Sequence, residues 1–324
     1  MPPQWAPPQP QWTPAPASPL PTTPTAYHHF FRAPGIAPWR PIVALGAGAA
    51  LFLVVTTVVP MLGLLVDVQV GGGSLGGYLD DIVDGVLPRW MTAFAFVSIA
   101  LMLPLCAVLA RIVGQPFGYL SSVTGRFRWG FFWRMMAVAV VAFGILTAVN
   151  LAISPQPPLE VLSDSWPMLV VLLVAIPFQA AAEEYMLRGL VFRAVGSWLP
   201  DPRAGLAVGA LVSSLLFAVL HGASDPWLNA FYFGMALLCC YATWRTGGLE
   251  VAVAVHVVNN LIAASFLPFM PTPDVFDREA GVGDPTVLLQ LLAVGAVVAA
   301  GSLWAARGRV AALGPTATRA AVQP

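Results

Sequence analysis

The chain alternates between long apolar runs and short polar connections from about residue 41 onward. Eight of these runs approach the roughly 20 residues that an α-helix needs to cross a bilayer. They cover 41–66, 90–113, 131–153, 167–193, 204–221, 227–245, 250–267 and 286–306, the fifth and seventh being short. The pattern predicts an all-α polytopic bundle of about eight transmembrane helices over residues 41–309. Pro60, Pro104 and Pro177 fall inside runs and predict kinks, because proline removes a backbone donor and crowds the preceding turn. The GGGSLGG stretch at 71–77 reads as a flexible connection and has no phosphate-loop context.

Composition agrees. Of 324 residues, 58% are hydrophobic and only 9% charged, with mean hydropathy +0.78. So little charge cannot cover a soluble surface, so the chain is expected in a cell membrane, surrounded by lipid. The formal net charge of zero argues against a nucleic-acid partner. Residues 1–40 are rich in proline and poor in periodic apolar positions. They predict a disordered tail, with His28 and His29 solvated in it. A second short tail is expected at 310–324. Cys106, Cys239 and Cys240 lie in apolar runs and read as packing residues.

All fifteen basic residues are arginine, and their placement orients the bundle. With a cytoplasmic N-terminus, Arg32, Arg40, Arg111, Arg126, Arg128, Arg134, Arg193, Arg203, Arg245, Arg307, Arg309 and Arg319 fall inside. Only Arg89 and Arg278 fall outside. The expectation is a multi-pass protein with both termini cytoplasmic.

Ionisable and strongly polar groups are costly within such runs and mark function by default. They concentrate in three places. The fourth run carries Glu183, Glu184 and Arg188 in AAEEYMLRG. The fifth ends FAVLHG, with Phe217 and His221. The seventh contains HVVNN, with His256, Asn259 and Asn260. At 3.6 residues per turn, Glu184 and Arg188 lie about 40° apart and can pair. Glu183 lies about 140° from Arg188 and is expected to face another surface, with no partner on its own helix. Each feature alone has a structural reading: an ion pair, an interhelical donor, amide glue between helices. Three helices carrying such groups together favour a site.

One carboxylate and two imidazoles form a hydrolytic inventory. A carboxylate taken out of water holds a proton more tightly and becomes a better base toward water. Imidazole can orient that water, and an amide N–H can stabilise an oxyanion. The same groups, Glu183, His221 and His256, suit a catalytic zinc with an open position, although no HExxH spacing is present.

In order, EEYMLR (183–188), FAVLH (217–221) and His256 through Asn260 resemble the EExxxR, FxxxH and HxxxN motifs of the CPBP intramembrane proteases. That family is also called Abi or type II CAAX-prenyl-endopeptidase-like. The similarity covers about 165–270, with Leu187 standing where an aromatic is common. The resemblance implies that Glu183 activates water with help from His221. His256 and Asn260 would form the oxyanion site, with Glu184, Arg188 and Phe217 supporting. It implies an endopeptidase acting on a peptide or protein near the cytosolic membrane face, with zinc or without it. It also leaves room for a non-catalytic, bacteriocin-immunity-like partner, since the family includes such members. A proton-coupled transporter is the remaining rival, and the internal repeats it calls for are not evident.

One conflict of depth follows. At 1.5 Å per residue, His221 would lie ~26 Å from an inner end at Ala204, whereas Glu183 lies ~15 Å from Arg193. The conflict resolves if the fifth helix starts well below the membrane plane or is strongly tilted; Pro202 and Arg203, which resemble a cytoplasmic helix start, favour the first.

Overall fold

A computed structural model of the chain describes residues 17–153, 159–270 and 278–315. Every one of the eight apolar runs is helical. Their helices are α1 (Trp39–Gly71), α2 (Arg89–Val113, interrupted at Leu101), α3 (Trp129–Ile153), α4 (Ser165–Trp198), α5 (Pro202–Leu220), α6 (Pro226–Thr246), α7 (Glu250–Ala264) and α8 (Gln290–Ala306); a further helix, Leu75–Val83, capped by Ser74, lies in the α1–α2 connection and corrects the expectation that 71–77 is flexible throughout. Seven of them are long and apolar enough to span a membrane; α6 is 21 residues long but less hydrophobic. The protein is an all-α polytopic bundle. Its outer faces are apolar, as a lipid-facing surface requires: Leu53, Val141 and Leu292 are each more than 60% exposed.

The interruption in α2 falls three residues before Pro104, where the missing N–H and the crowded carbonyl break the helical ladder. Pro60 and Pro177 stay within continuous helices. Helix α4 sits centrally, packed against α2 and α7, while α5 pairs with α6 and α8 closes against α3 and α6. Helix α7 is the most enclosed, with every residue from Glu250 to Val258 buried.

Helix α4 runs for 34 residues. At 1.5 Å each this is ~51 Å, well beyond the ~30 Å hydrocarbon core. A helix of this length extends beyond the hydrocarbon or tilts within it, and α5 starts beside its last turns. Asp201 caps α5, its carboxylate accepting from the Arg203 and Ala204 N–H groups at 2.6 and 3.1 Å. These backbone donors hold the exposed Asp201 carboxyl below the usual range. An exposed charged cap at the start of α5 agrees with a helix that begins beyond the hydrocarbon.

The expectation of a disordered tail over 1–40 is corrected where the chain is described. Thr25–Ala26 (β1) pairs antiparallel with Leu313–Gly314 (β2), so part of the expected C-terminal tail is ordered too. Tyr27, His28, His29, Phe30 and Phe31 are all buried. They pack against the end of α4 and the start of α5, where His28 Nε2 donates to Pro202 O at 2.9 Å. Arg193 supplies the reason. Its guanidinium is fully buried, lies over the rings of Tyr27, Phe30 and Phe31 at 4.1, 5.0 and 5.1 Å, and donates from Nε to Tyr27 O. Residues 1–16 and 316–324 lie outside the described residues.

Candidate functional site

The fourth, fifth and seventh helices bring their polar residues to one place. Glu184 and Arg188 form the expected i,i+4 pair, Nη1 to Oε1 at 3.0 Å, with both side chains fully buried. The helix changes to π geometry over Tyr185–Val191, immediately after the glutamates. Such segments are rare and concentrate at functional sites. The Arg188 guanidinium also lies 4.7 Å from the Phe217 ring centroid, so Phe217 of α5 covers the pair from the side.

His256 reaches in from α7 and stands between the two glutamates. Its Nδ1 donates to Glu184 Oε1 at 2.8 Å, and its Nε2 lies 3.6 Å from Glu183 Oε2. The second distance is longer than a hydrogen bond. Glu184 thus accepts from both Arg188 and His256, tying two helices together.

The expectation that Glu183 lacks a partner on its own helix is corrected. Gln179, one turn earlier, donates from Nε2 to Glu183 Oε1. Gln179 Oε1 in turn accepts from Asn260 Nδ2 at 3.0 Å, and Asn259 Nδ2 donates to Asn260 Oδ1 at 3.1 Å. A continuous polar chain therefore runs Asn259, Asn260, Gln179, Glu183, then across to His256, Glu184 and Arg188. In this resting arrangement the Asn260 amide is engaged by Gln179. Gln179 carries no charge, and a lone amide in an apolar run reads as helix glue, so the sequence offered no signal for it beyond its i−4 spacing from Glu183.

His221 ends α5, where Gly222 takes a left-handed φ of 62° and turns the chain away. Its ring is fixed on three sides. Nδ1 donates to Phe217 O at 2.8 Å, and the Phe217 and Tyr232 rings lie 4.4 and 4.0 Å away by centroid. A carbonyl can only accept, so the neutral ring keeps its lone pair on Nε2. Arg278 donates to the His221 carbonyl and sits 5.9 Å from the Tyr232 ring. Tyr232 and Arg278 are two further site residues that the motifs did not contain.

Glu183, Gln179, His221, Asn259, Asn260, Tyr232 and Arg278 all line one cavity of about 1350 Å³. The rest of its wall is largely apolar, including Ala44, Gly48 and Phe52 of α1 and Leu190 and Val195 of α4. Glu183 is the one carboxylate among the described residues that line it, whereas Glu184 is sealed behind.

A zinc ion would draw on Glu183, His221 and His256. Both imidazoles already donate Nδ1–H to an oxygen, as metal-bound imidazoles do. Yet among the described residues no three His, Cys, Asp or Glu side chains are grouped to hold a metal ion. The donor set does not fit a metal in this arrangement, and no step below passes through one.

Residues 164–262 match the family model described as Type II CAAX prenyl endopeptidase Rce1-like. The chain is also 24% identical over 240 residues to the uncharacterized protein YyaK of Bacillus subtilis (strain 168), across 70% of this chain and 74% of YyaK. No solved structure matches. The matched stretch begins at the cap of α4 and ends just beyond Asn260, enclosing all three motifs. Over residues 164–262, the chain is therefore similar to the Rce1-like family of type II CAAX prenyl endopeptidases.

Proposed function

We propose that the protein is an intramembrane endopeptidase in which Glu183 activates a water for attack on a peptide bond near the cytosolic membrane face. The observation that carries this reading is the exposure of Glu183, alone among the described carboxylates, to the large cavity that His221 and Asn260 also line. The similarity of residues 164–262 to the Rce1-like family supports the reaction class.

In the proposed reaction, the substrate carbonyl enters beside Glu183. A water donates one hydrogen to a Glu183 oxygen and the other to the free Nε2 of His221, which fixes its lone pair on the carbonyl carbon. As the water oxygen bonds to carbon, Glu183 takes the proton and later delivers it to the departing amide nitrogen. The Asn260 amide, exchanging Gln179 for substrate, donates to the oxyanion. His256 is held by Glu184 so that its Nε2 edge faces Glu183 and can pass or share a proton there. Arg188 holds Glu184 in place through its ion pair. The apolar arm of the cavity suits a substrate with an apolar flank.

Both termini are proposed to be cytoplasmic, on the arginine distribution. A cysteine placed at Ser74, in the α1–α2 connection, is then labelled from outside intact cells, and protection there reverses the orientation.

The reaction is tested with purified protein and a cleavable membrane peptide. Glu183→Ala is expected to reduce the rate by about 10²–10⁴-fold. Asn260→Ala is expected to lower kcat by about 10²–10³-fold with little change in KM. Activity abolished by a chelator and restored by zinc would replace the metal-free scheme with one that reorganises Glu183, His221 and His256. No cleavage by the wild-type protein over a broad panel of membrane peptides leaves the non-catalytic partner reading.

A further inference from the structure

A second set of charged groups lies far from the hydrolytic cavity, where the end of α8 packs against the start of α3. The sequence there is WAARGR over 304–309. Gly308 takes a left-handed φ of 66°, the geometry that reverses a chain after a helix. The reversal returns Arg309 over the last helical turn: its N–H donates to Trp304 O at 3.2 Å, and its guanidinium lies 4.9 Å from the Trp304 ring centroid. Arg134 of α3 approaches the same ring at 5.6 Å, steadied by donation from Nη1 to Gly130 O. Two exposed guanidinia therefore converge on one tryptophan at a helix end.

No carboxylate answers them. Neither arginine forms an ion pair among the described residues. The nearby Glu250 is taken by Arg128, with Nη2 to Oε2 at 2.6 Å. The residues outside the described set contain acids only at Asp274 and Asp277, in the connection that leads to the opposite end of α8. The helix dipole does not account for the pair either. It favours Arg309 at the end of α8, but it disfavours a cation at Arg134, near the start of α3. Two like charges held close together without a counter-ion call for an anion from outside the chain.

The surroundings specify which anion. Trp133 and Leu303 beside the pair are 60% and 56% exposed, continuing the apolar outer face of α3 and α8. Tryptophan and arginine at the end of an apolar face mark the headgroup level of a bilayer. We propose that Arg134, Arg309 and Trp304 form a binding site for the phosphate of an anionic phospholipid, whose acyl chains lie along the α3–α8 face. Guanidinia bind a phosphate diester through paired N–H donors, and the ring carries the glycerol end. Basic sites of this kind between membrane helices retain anionic lipids selectively.

The test is native mass spectrometry of the full-length protein in detergent, titrated with phosphatidylglycerol or phosphatidylcholine. The expected result is one saturable phosphatidylglycerol, bound at least about 10-fold more weakly by R134Q/R309Q and unchanged by R203Q on α5. Should the double variant fail to fold, R309Q alone and the R134K/R309K pair replace it, the lysine pair retaining partial binding. Equal retention of the two lipids by the wild-type protein overturns the proposal, as does unaltered binding in the arginine variants. Displacement of the lipid by millimolar glycerol phosphate also overturns the lipid assignment, since it makes a soluble phosphate the ligand.

Discussion

Arg188 and Arg193 lie five residues apart on α4, and both are fully buried, yet they are held in opposite ways. Arg188 meets a carboxylate one turn back, and that carboxylate also anchors His256. Arg193 meets no carboxylate among the described residues. It is held by a backbone carbonyl and three aromatic rings that arrive from residues 27–31, and by Gln115 Oε1 at 3.5 Å. The first arginine is neutralised at close range, as charge in an apolar span must be. The second, one turn nearer the end of α4, is held by an amide oxygen and ring faces. One arginine organises the proposed reaction site; the other holds the N-terminal segment as a strap across the end of the bundle.

Removing Glu184 gives the largest effect. Glu184→Gln leaves Arg188 and His256 without their shared anion, and breaking a buried pair from one side costs about 3–5 kcal/mol. The expected readout is a lower folded yield and an earlier thermal transition in detergent, while Glu183→Gln, on the cavity wall, melts close to wild type. If the two variants melt together, the division of labour between the glutamates is wrong.

Acidification acts on the other arginine's neighbourhood. Burial against Phe192 and the start of α5 lowers the His28 pKa to about 4. The folded segment therefore binds fewer protons than the unfolded one, whose histidine titrates near 6.5. Docking of the strap is complete above about pH 6.5 and is lost as the pH falls toward 4. The linked cost is about 2–3 kcal/mol. Hydrogen exchange over residues 25–36 should accelerate across that window, and His28→Gln should flatten the response. A pH-independent exchange rate there would contradict the assignment.

A smaller effect is expected from Arg193→Leu. It removes a charge together with its hydrogen bond and ring contacts, and leaves no carboxylate stranded. The loss is about 1–3 kcal/mol, mostly the unsatisfied Tyr27 carbonyl. Proteolysis should then cut near residues 27–31 while the site network stays intact. Global unfolding as severe as that of Glu184→Gln would erase the contrast between the two arginines.

The same contrast explains what the sequence could reveal. Eight helices were legible because lipid demands long apolar runs, and Glu184 with Arg188 was legible because the pair is closed within one helical turn. His221 and His256 stood out as imidazoles in apolar surroundings. Gln179 did not, since a neutral amide has no signature there. Tyr232 reads as one more aromatic on an apolar helix, and Arg278 lies in a connection whose fold back onto His221 is a long-range event. The strap was hidden by its composition: a proline-rich stretch looks unable to bury anything, and the groove that orders it is built by α4 and α5. Contacts closed within a turn can be read along the chain, whereas contacts closed across the fold require it.

The central claim is that Glu183 does chemistry on the cavity wall while Glu184, behind it, holds the structure. The most direct measurement is the cleavage rate of a membrane peptide by purified Glu183→Ala, alongside its melting temperature. The account predicts a rate reduced by about 10²–10⁴-fold with melting close to wild type. Full activity in that variant would contradict it, and would leave the polar chain from Asn259 to Arg188 as a structural network alone.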